Sequence, residues 1–464
     1  MSHGKDLKIK MPEDVKGLLS ELLSSGFDAY IVGGCVRDAL LGREPKDWDI
    51  TTSATIDEMK EIFSEREILL VGEDFGTIKV KGISGEYYEV TTFRTESNYD
   101  DCRHPSDVVF VSTIEEDLAR RDFTINAMAY NEVVGLVDPY DGQLDLQMGN
   151  ITCVGNPNER FKEDALRILR AIRFASRYNF TITRETELAM FRHKELLQYI
   201  SSERFVKEFD EIMLCNCISD ILRDYDVIFF EVIPELKAMV DCKQYSRHHE
   251  FDVWEHTLHV MSHLPMFYAQ GSGLELGYAA LFHDIGKPIT RSIEPNGEGH
   301  FYRHNVVGAD IASKIMTRLH FSNERKSKVV NLIMAHTEEL KCNKGYIRRL
   351  IPRIGGYEMV LELICLHKAD NWGKRSNAHI EPNDKELGII CSLLQFQYAL
   401  EEVMQESAAF KITDLEINGN DLMALGIKQG PKIGEILNKL LQDVQDDKIE
   451  NSHSALLKCA IQML

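Results

Sequence analysis

The chain has 464 residues, enough for two to four domains that each bury a core. Hydrophobic residues make up 44% and charged residues 27%, the balance of an ordinary globular protein. A formal net charge of −21 excludes a generic polyanion binder, so any nucleic acid must meet a local basic surface on an acidic body.

The opening "MSHGKDLKIKMPED" lacks a signal-peptide core, and no apolar run is long enough to span a bilayer. The 10 cysteines follow no zinc or disulfide spacing, which points to reduced thiols in a cytoplasmic protein. Residues 1–26 read as an N-terminal helical segment. Residues 27–155 carry β-branched runs at Tyr30–Val32, Thr77–Val80, Tyr87–Thr92 and Val108–Val111 between short helical stretches, which predicts an α/β domain. Helical periodicity then dominates to the C-terminus. It divides into a neck (156–235), a further helical domain (236–378) and a tail (379–464).

Within the α/β part, "GGCVRDALLGREPKDWDI" (33–50) sets Asp47 and Asp49 one residue apart. In extended backbone such residues share a face, so both carboxylates aim at one point while Trp48 turns away. Two carboxylates that close repel unless a cation lies between them. Mg²⁺ suits oxygen ligands and usually joins one or two carboxylates to substrate phosphates, so a nucleoside triphosphate is the natural third party. Gly33 and Gly34 then let backbone N–H groups approach the phosphates, with Arg37 as a countercharge. A bare DxD, taken alone, is more often a solvated loop.

The stretch 93–111, "FRTESNYDDCRHPSDVVFV", reads as a polar loop before a strand. In "EEDLARRDFTINAMAYN" (115–131), Arg120, Arg121, Asp122 and Asn126 precede a small apolar, helix-like run. Asp122 and Asn126 share a face if that run is helical, and Asp122 is also a fair N-cap. "EDALRILRAIRFASRY" (163–178) predicts one amphipathic helix, with Ala165, Ile168, Leu169, Ile172 and Ala175 on its apolar stripe. Asp164, Arg167, Arg170 and Arg173 face the other way, with Asp164 and Arg167 at i,i+3.

Residues 245–375 hold a second constellation: His256 in "VWEHTLHVM", His283–Asp284 in "ALFHDIGKP" and Asp370 in "HKADNWGK", with His304 and His336 between. Such groups can converge on one divalent metal, or two, and activate water for phosphoester hydrolysis. A lone histidine on an apolar face is more often a satisfied core residue.

The whole string GGxVRDxLLGxxPxDxDI resembles the signature of the class II tRNA nucleotidyltransferase and bacterial poly(A) polymerase superfamily. That resemblance implies an α/β nucleotidyltransferase head with a polymerase-β-like mixed sheet, followed by an all-α neck. It implies that Glu89, in "YEVTTFR" (88–94), is a third carboxylate beside Asp47 and Asp49, completing a two-metal arrangement. It assigns Arg121, Asp122 and Asn126 to the sugar and phosphates of the incoming nucleotide. Glu163–Asp164 with Arg167 looks like the element that reads the base. A carboxylate accepts from the exocyclic amine of cytosine or adenine and a guanidinium donates to the ring acceptor beside it, whereas uracil and guanine present a carbonyl. Arg170 and Arg173 continue this side toward triphosphate or primer. Glu203, Arg204 and Glu208 in "SSERFVKEFDEIML" resemble an ERxxxE element that braces the base-reading helix. Asp101, Arg103 and Pro105 match a flexible loop that goes with the switch to adding A.

The histidine set resembles the HD phosphohydrolase superfamily, whose metal ligands would be His256, His283, Asp284 and Asp370. Such a domain is either a scaffold or a phosphatase and cyclic phosphodiesterase. "TDLEINGNDLMALGIKQGPKIGEILNKLL" (413–441) resembles the segment that follows it.

The implied activity is template-independent addition of CCA to tRNA 3′ ends from CTP and ATP, with release of pyrophosphate. Mg²⁺ in the head and a second divalent transition metal in the HD domain are the implied cofactors, and tRNA, CTP and ATP the partners, without a membrane. Arg348, Arg349 and Arg353 are candidates for the tRNA elbow. A poly(A) polymerase or a CC- or A-adding enzyme shares every motif. A metal-dependent HD hydrolase with a non-catalytic head, or a tRNA-binding protein without catalysis, is the reading from another class.

Overall fold

The apolar run Ala29–Val32 forms β1, every residue of which is buried, inside a seven-stranded sheet. The structure is a computed structural model that describes residues 8–463 apart from 73–74, 100–104, 246–249, 265–272, 296, 375–383 and 407–408. It divides into two units, Met1–Cys215 and Asn216–Leu464.

In the first unit, α1 (Glu13–Ser24) precedes β1, and α2 (Gly34–Leu40) follows it at once. Then come β2 (Ile50–Thr52), α3 (Ile56–Ile62), β3 (Ile68–Leu69), β4 (Thr77–Lys81) and β5 (Tyr87–Thr92). After a hairpin of β6 (Arg94–Tyr99) and β7 (Pro105–Phe110), the chain runs through α4 (Ile114–Ala119), a 3₁₀ turn (Thr124–Asn126), β8 (Ala129–Asn131) and β9 (Gly135–Val137). The sheet order is β3-β4-β5-β2-β1-β8-β9. Only the β2–β5 pair is parallel, so the sheet is mixed. After α5 (Gly142–Met148) and β10 (Asn150–Ile151), helices α6 (Pro157–Glu163), α7 (Leu166–Tyr178), α8 (Arg184–His193) and α9 (Ser202–Met213) complete the unit, with β11 (Thr181–Ile182) pairing β10 in parallel.

Three sequence expectations change here. The polar stretch 93–111 is a β-hairpin with Arg94 opposite Phe110, because its alternating residues suit strand pairing. Pro105 opens its second strand, while Asp101 and Arg103 lie outside the described residues. The run after Asp122 is a single 3₁₀ turn leading into a strand, not a helix. The helix expected over 163–178 begins only at Leu166, because the backbone at Asp164 is extended (φ −145, ψ 102) and separates it from α6. The Asp164 carboxylate accepts the Leu166 N–H at 3.1 Å and so caps the helix that restarts there. The buried face of α7 includes Arg167, Ala171 and Phe174, whereas Ala175 is only half-buried.

In the second unit, helices Val253–His263, Leu274–Phe282, His304–Arg318, Asn323–Ala335 and Tyr357–Trp372 carry the histidines and aspartates of the second constellation or end beside them. Ala409, Ile417, Leu422, Leu440, Leu456 and Ala460 form a separate apolar core for the tail. Among the described residues no helix is long and apolar enough to cross a membrane.

Candidate active site

The sheet register builds the first site. β2 and β5 run parallel with Ile50 opposite Val90, so one step back Asp49 lies level with Glu89. Asp47, Asp49 and Glu89 line one cleft of about 570 Å³ together with Lys46, Trp48 and Lys79. Asp47 and Asp49 sit in the extended segment before β2 rather than within the strand. The Asp49 carbonyl accepts the Val32 N–H at 3.0 Å, which ties this segment to the end of β1. Among the described residues neither Asp47 nor Asp49 forms an ion pair, whereas Glu89 meets Lys79 Nζ at 3.0 Å. The protein around Asp49 pushes its carboxyl pKa up, Arg121 pulls it down, and Glu89 and Asp47 push it up again. A cation in the cleft reverses the repulsive part, so the carboxylates fit a divalent ion.

Gly33 makes the turn between β1 and α2 with φ +77, and a Cβ there would stand 2.8 Å from Arg121 Nη1. Both facts require glycine: the backbone is left-handed and the guanidinium occupies the side-chain space. Contrary to the sequence expectation, the Gly33 N–H is spent, since it donates to the Met128 carbonyl at 3.1 Å. The donors that remain are the first-turn N–H groups of α2, beginning at Gly34, which have no intrahelical acceptor. Arg121 reaches the fully buried Asp117 at 3.3 Å, and its Nε is buried without a hydrogen-bond partner. Asp117 also takes Arg120 at 2.9 Å. Sequence reasoning missed this anchor, although its spacing of three and four from the arginines is legible.

Arg37 is not an open countercharge. It is buried, donates to Asn126 Oδ1 at 2.6 Å and to Asp38 Oδ1 at 2.9 Å, and lies over the rings of Phe174 and Tyr178. From Asn126 a chain of polar contacts continues. Asn126 Nδ2 donates to Asp122 Oδ1 at 3.0 Å, and Arg170 Nε donates to Asp122 Oδ2 at 2.8 Å. Glu208 of α9 takes Arg173 Nε at 2.5 Å and lies 3.7 Å from Arg170. Burial alone would raise the Asp122 pKa, but Arg170 and Asn126 bring it down to about 2. Arg170 and Arg173 therefore join the head to α9 rather than standing free.

The expected Asp164–Arg167 pair is two separate clamps. Asp164 is held by Arg204 of α9 through two bonds of 3.1 and 2.7 Å. Arg167 is buried and donates to Glu163 at 2.6 Å and to the carbonyls of Arg160 and Arg120 at 3.1 and 3.0 Å. The break at Asp164 is the reason: it turns the two side chains to different partners. Arg204 and Glu208 thus grip Asp164 and α7 from α9, and Glu203 lies on the same helix.

In the second unit, His256, His283, Asp284, His304 and His336 converge with Asp370. Each imidazole gives Nδ1–H to a backbone carbonyl: His256 to Gly373 (3.1 Å), His283 to Ala280 (2.7 Å), His304 to Phe301 (2.8 Å) and His336 to Ile333 (2.6 Å). The Nε2 atoms are left pointing inward. Burial lowers the pKa of His256, His304 and His336, the last to about 3, so these are neutral. Against the same burial, Asp284 raises that of His283. Asp284 and Asp370 stay ionised despite burial, held by His283 and Lys287 in one case and by Lys374 and His256 in the other.

The arginines proposed for the tRNA elbow are engaged internally. Arg348 is buried against the Gln445 carbonyl, Asp447 and Glu406; Arg349 pairs with Asp446, and Arg353 with Glu338. Each carries its neutralising carboxylate, so they offer no bare positive patch.

Residues 29–152 match the family model described as the poly A polymerase head domain, 179–239 that of the probable RNA and SrmB-binding site of polymerase A, and 302–460 that of the putative tRNA nucleotidyltransferase domain 2. The CCA-adding enzyme of Streptococcus suis is 32% identical over 441 residues, covering 95% of this chain and 94% of the relative. The chain belongs to the CCA-adding enzyme family. The fold of the family is seen in the Bacillus stearothermophilus CCA-adding enzyme in complex with CTP, which superposes with TM-score 0.71 at 24% identity over 98% of both chains. A CCA-adding enzyme of Thermotoga maritima complexed with tRNA superposes with TM-score 0.60 at 21% identity over 98% of this chain and 97% of that one. The family matches leave the histidine cluster without a role.

Proposed function

We propose that this chain adds CCA to the 3′ end of tRNA from CTP and ATP, without a nucleic-acid template and with release of pyrophosphate. The observation that carries the reading is the register that sets Asp49 level with Glu89, in one cleft with Asp47 and next to the turn where Arg121 lies against Gly33. Asp47 and Asp49 would hold Mg²⁺, with Glu89 reaching the same ion set once Lys79 yields. When bound, that metal supplies Lewis-acid activation of the primer hydroxyl and charge neutralisation at the phosphates. Arg121 and the first-turn N–H groups of α2 bind and orient the triphosphate.

Base choice falls to Asp164 and Arg167. An ionised carboxylate offers about four acceptor sites. Two of those on Asp164 are taken by Arg204 and one by the Leu166 N–H, leaving acceptor capacity for one exocyclic amine. A uracil or guanine carbonyl at that point meets a second acceptor and is rejected. The clamps from Arg204 and Glu163 hold this reader still, which suits a protein surface that stands in for a template strand.

The test is to incubate tRNA transcripts ending before CCA, after C and after CC with each NTP and Mg²⁺, then sequence the ends. The reading expects two C and one A, with U and G excluded. Runs of A on all three transcripts mean a poly(A) polymerase, and extension that stops after CC or starts only at CC means a partial enzyme.

A further inference from the structure

We propose that a groove running from the carboxylate cleft past Trp48 to Lys8 holds the single-stranded 3′ end of the RNA primer. Trp48 stacks on one of its bases, and Lys8, Lys10, Arg43 and Lys46 meet its phosphates. The proposal rests on the CCA-adding reading, which supplies an RNA with a 3′ hydroxyl.

Charge is the starting point. A chain of net charge −21 needs a local basic surface to hold RNA. Arg37, Arg121, Arg170, Arg173 and Arg204 of the first unit are each held by a carboxylate, as are Arg348, Arg349 and Arg353 of the second. Lys8, Lys10, Arg43 and Lys46 differ. All four are exposed, and among the described residues none of them pairs with a carboxylate. Arg43 lies over the Tyr178 ring at 4.8 Å, a contact that fixes the guanidinium without neutralising it.

These cations border one continuous space. Lys8, Lys10 and Arg43 line a groove of about 570 Å³ with Pro12 and Trp48, and among the described residues that line it Glu44 is the only acid. Pro12 and Trp48 also line the carboxylate cleft, where Lys46 stands, so the two spaces adjoin. Gly34, Arg121, Asp164 and Arg167 are among the described residues that line neither. The side assigned to triphosphate and base is therefore a different one, and the reactant that approaches the carboxylates along this groove is the primer. An in-line displacement demands that separation, because the attacking and leaving oxygens stand on opposite sides of phosphorus.

Trp48 sets the register. It is half-buried between Asp47 and Asp49, and the bond from the Val32 N–H to the Asp49 carbonyl ties its segment to β1. A base stacked on an indole so anchored keeps its sugar beside the metal ligands. Stacking and phosphate contacts are tolerant of sequence. An enzyme that must extend ends lying before CCA, after C and after CC needs that tolerance.

The test measures binding of a fluorescein-labelled single-stranded RNA ending in CC to the full chain by anisotropy, without NTP, over a series of salt concentrations. Trp48→Leu should weaken binding by about tenfold, and Trp48→Tyr, which keeps an aromatic face, by clearly less. Lys8→Ala, Lys10→Ala and Arg43→Ala should each flatten the plot of log affinity against log salt by about 0.7, a change that Trp48→Leu does not cause. In the same three cation variants KM for tRNA should rise by about threefold while KM for CTP moves less than about twofold. The three are exposed, so they carry the test if the Trp48 variants fail to fold. Equal affinity in Trp48→Leu overturns the stacking contact, and unchanged slopes in the cation variants overturn the phosphate track. Binding that needs these residues in a chain that extends no transcript supports the groove and overturns the CCA-adding reading; extension with binding indifferent to them does the reverse.

Discussion

The two sites bring carboxylates together by opposite means. In the head, Asp47 and Asp49 sit in one open cleft without ion-pair partners among the described residues, and the cations that line it are Lys46 and Lys79, the latter paired with Glu89. In the second unit, buried imidazoles and carboxylates are already at ligand spacing, and their protons are fixed by backbone carbonyls. A site whose metal arrives with a triphosphate stays sparse, because the substrate supplies the remaining ligands. A site for a resident ion is dense, because the protein must supply nearly all of them.

The largest expected effect separates the two. Asp47→Ala should reduce addition of both C and A by at least about 10³-fold with folding intact, whereas His304→Ala leaves it nearly unchanged. Retention of addition in Asp47→Ala would remove the head from the chemistry and erase the contrast. Next comes the fixed reader: Arg167→Ala should cut discrimination against U by roughly 10–100-fold, more than it slows C addition. An unaltered preference in competition assays would take Arg167 out of base reading.

Arg204 tests whether rigidity matters as much as contact. Arg204→Ala frees Asp164 and should raise KM for CTP and ATP by about tenfold with a smaller change in kcat, and Arg204→Lys should recover only part of it, since one ammonium cannot make both bonds. Equal KM values in all three proteins would show that α9 gives no positional control. The smallest effect is a pH dependence of folding. The native pKa of Asp122, about 2, lies below the usual aspartate value, so its stabilisation is complete above the unfolded value near 4 and fades as pH falls toward 2. Urea denaturation at pH 5 and pH 2.5 should show this as about 2 kcal/mol in the native chain that Asp122→Asn does not lose. Equal pH slopes would place the ion pair's worth elsewhere.

Much of this was legible in the residues. The alternating β-branched runs located β1, β4 and β5 because a buried sheet demands that pattern. Asp47–Asp49 and the glycine before α2 were readable because spacing in extended chain and left-handed backbone are local properties. The clusters around His283 and Asp284 were readable as donor types but not in their arrangement, because which oxygen of Asp284 faces which histidine depends on helices far apart in sequence.

What the sequence by itself determined is therefore the chemistry of each segment: carboxylates beside a glycine turn, a helix lined with arginines, and imidazoles clustered with aspartates. Only the tertiary structure decided the partners. It spent the Gly33 N–H on Met128, turned Asp164 toward Arg204 and Arg167 toward Glu163, and closed Arg348 against the tail. The physical reason is that local conformation is set by a few neighbouring torsions, whereas a buried charge takes whatever opposite charge the packing brings within hydrogen-bonding reach.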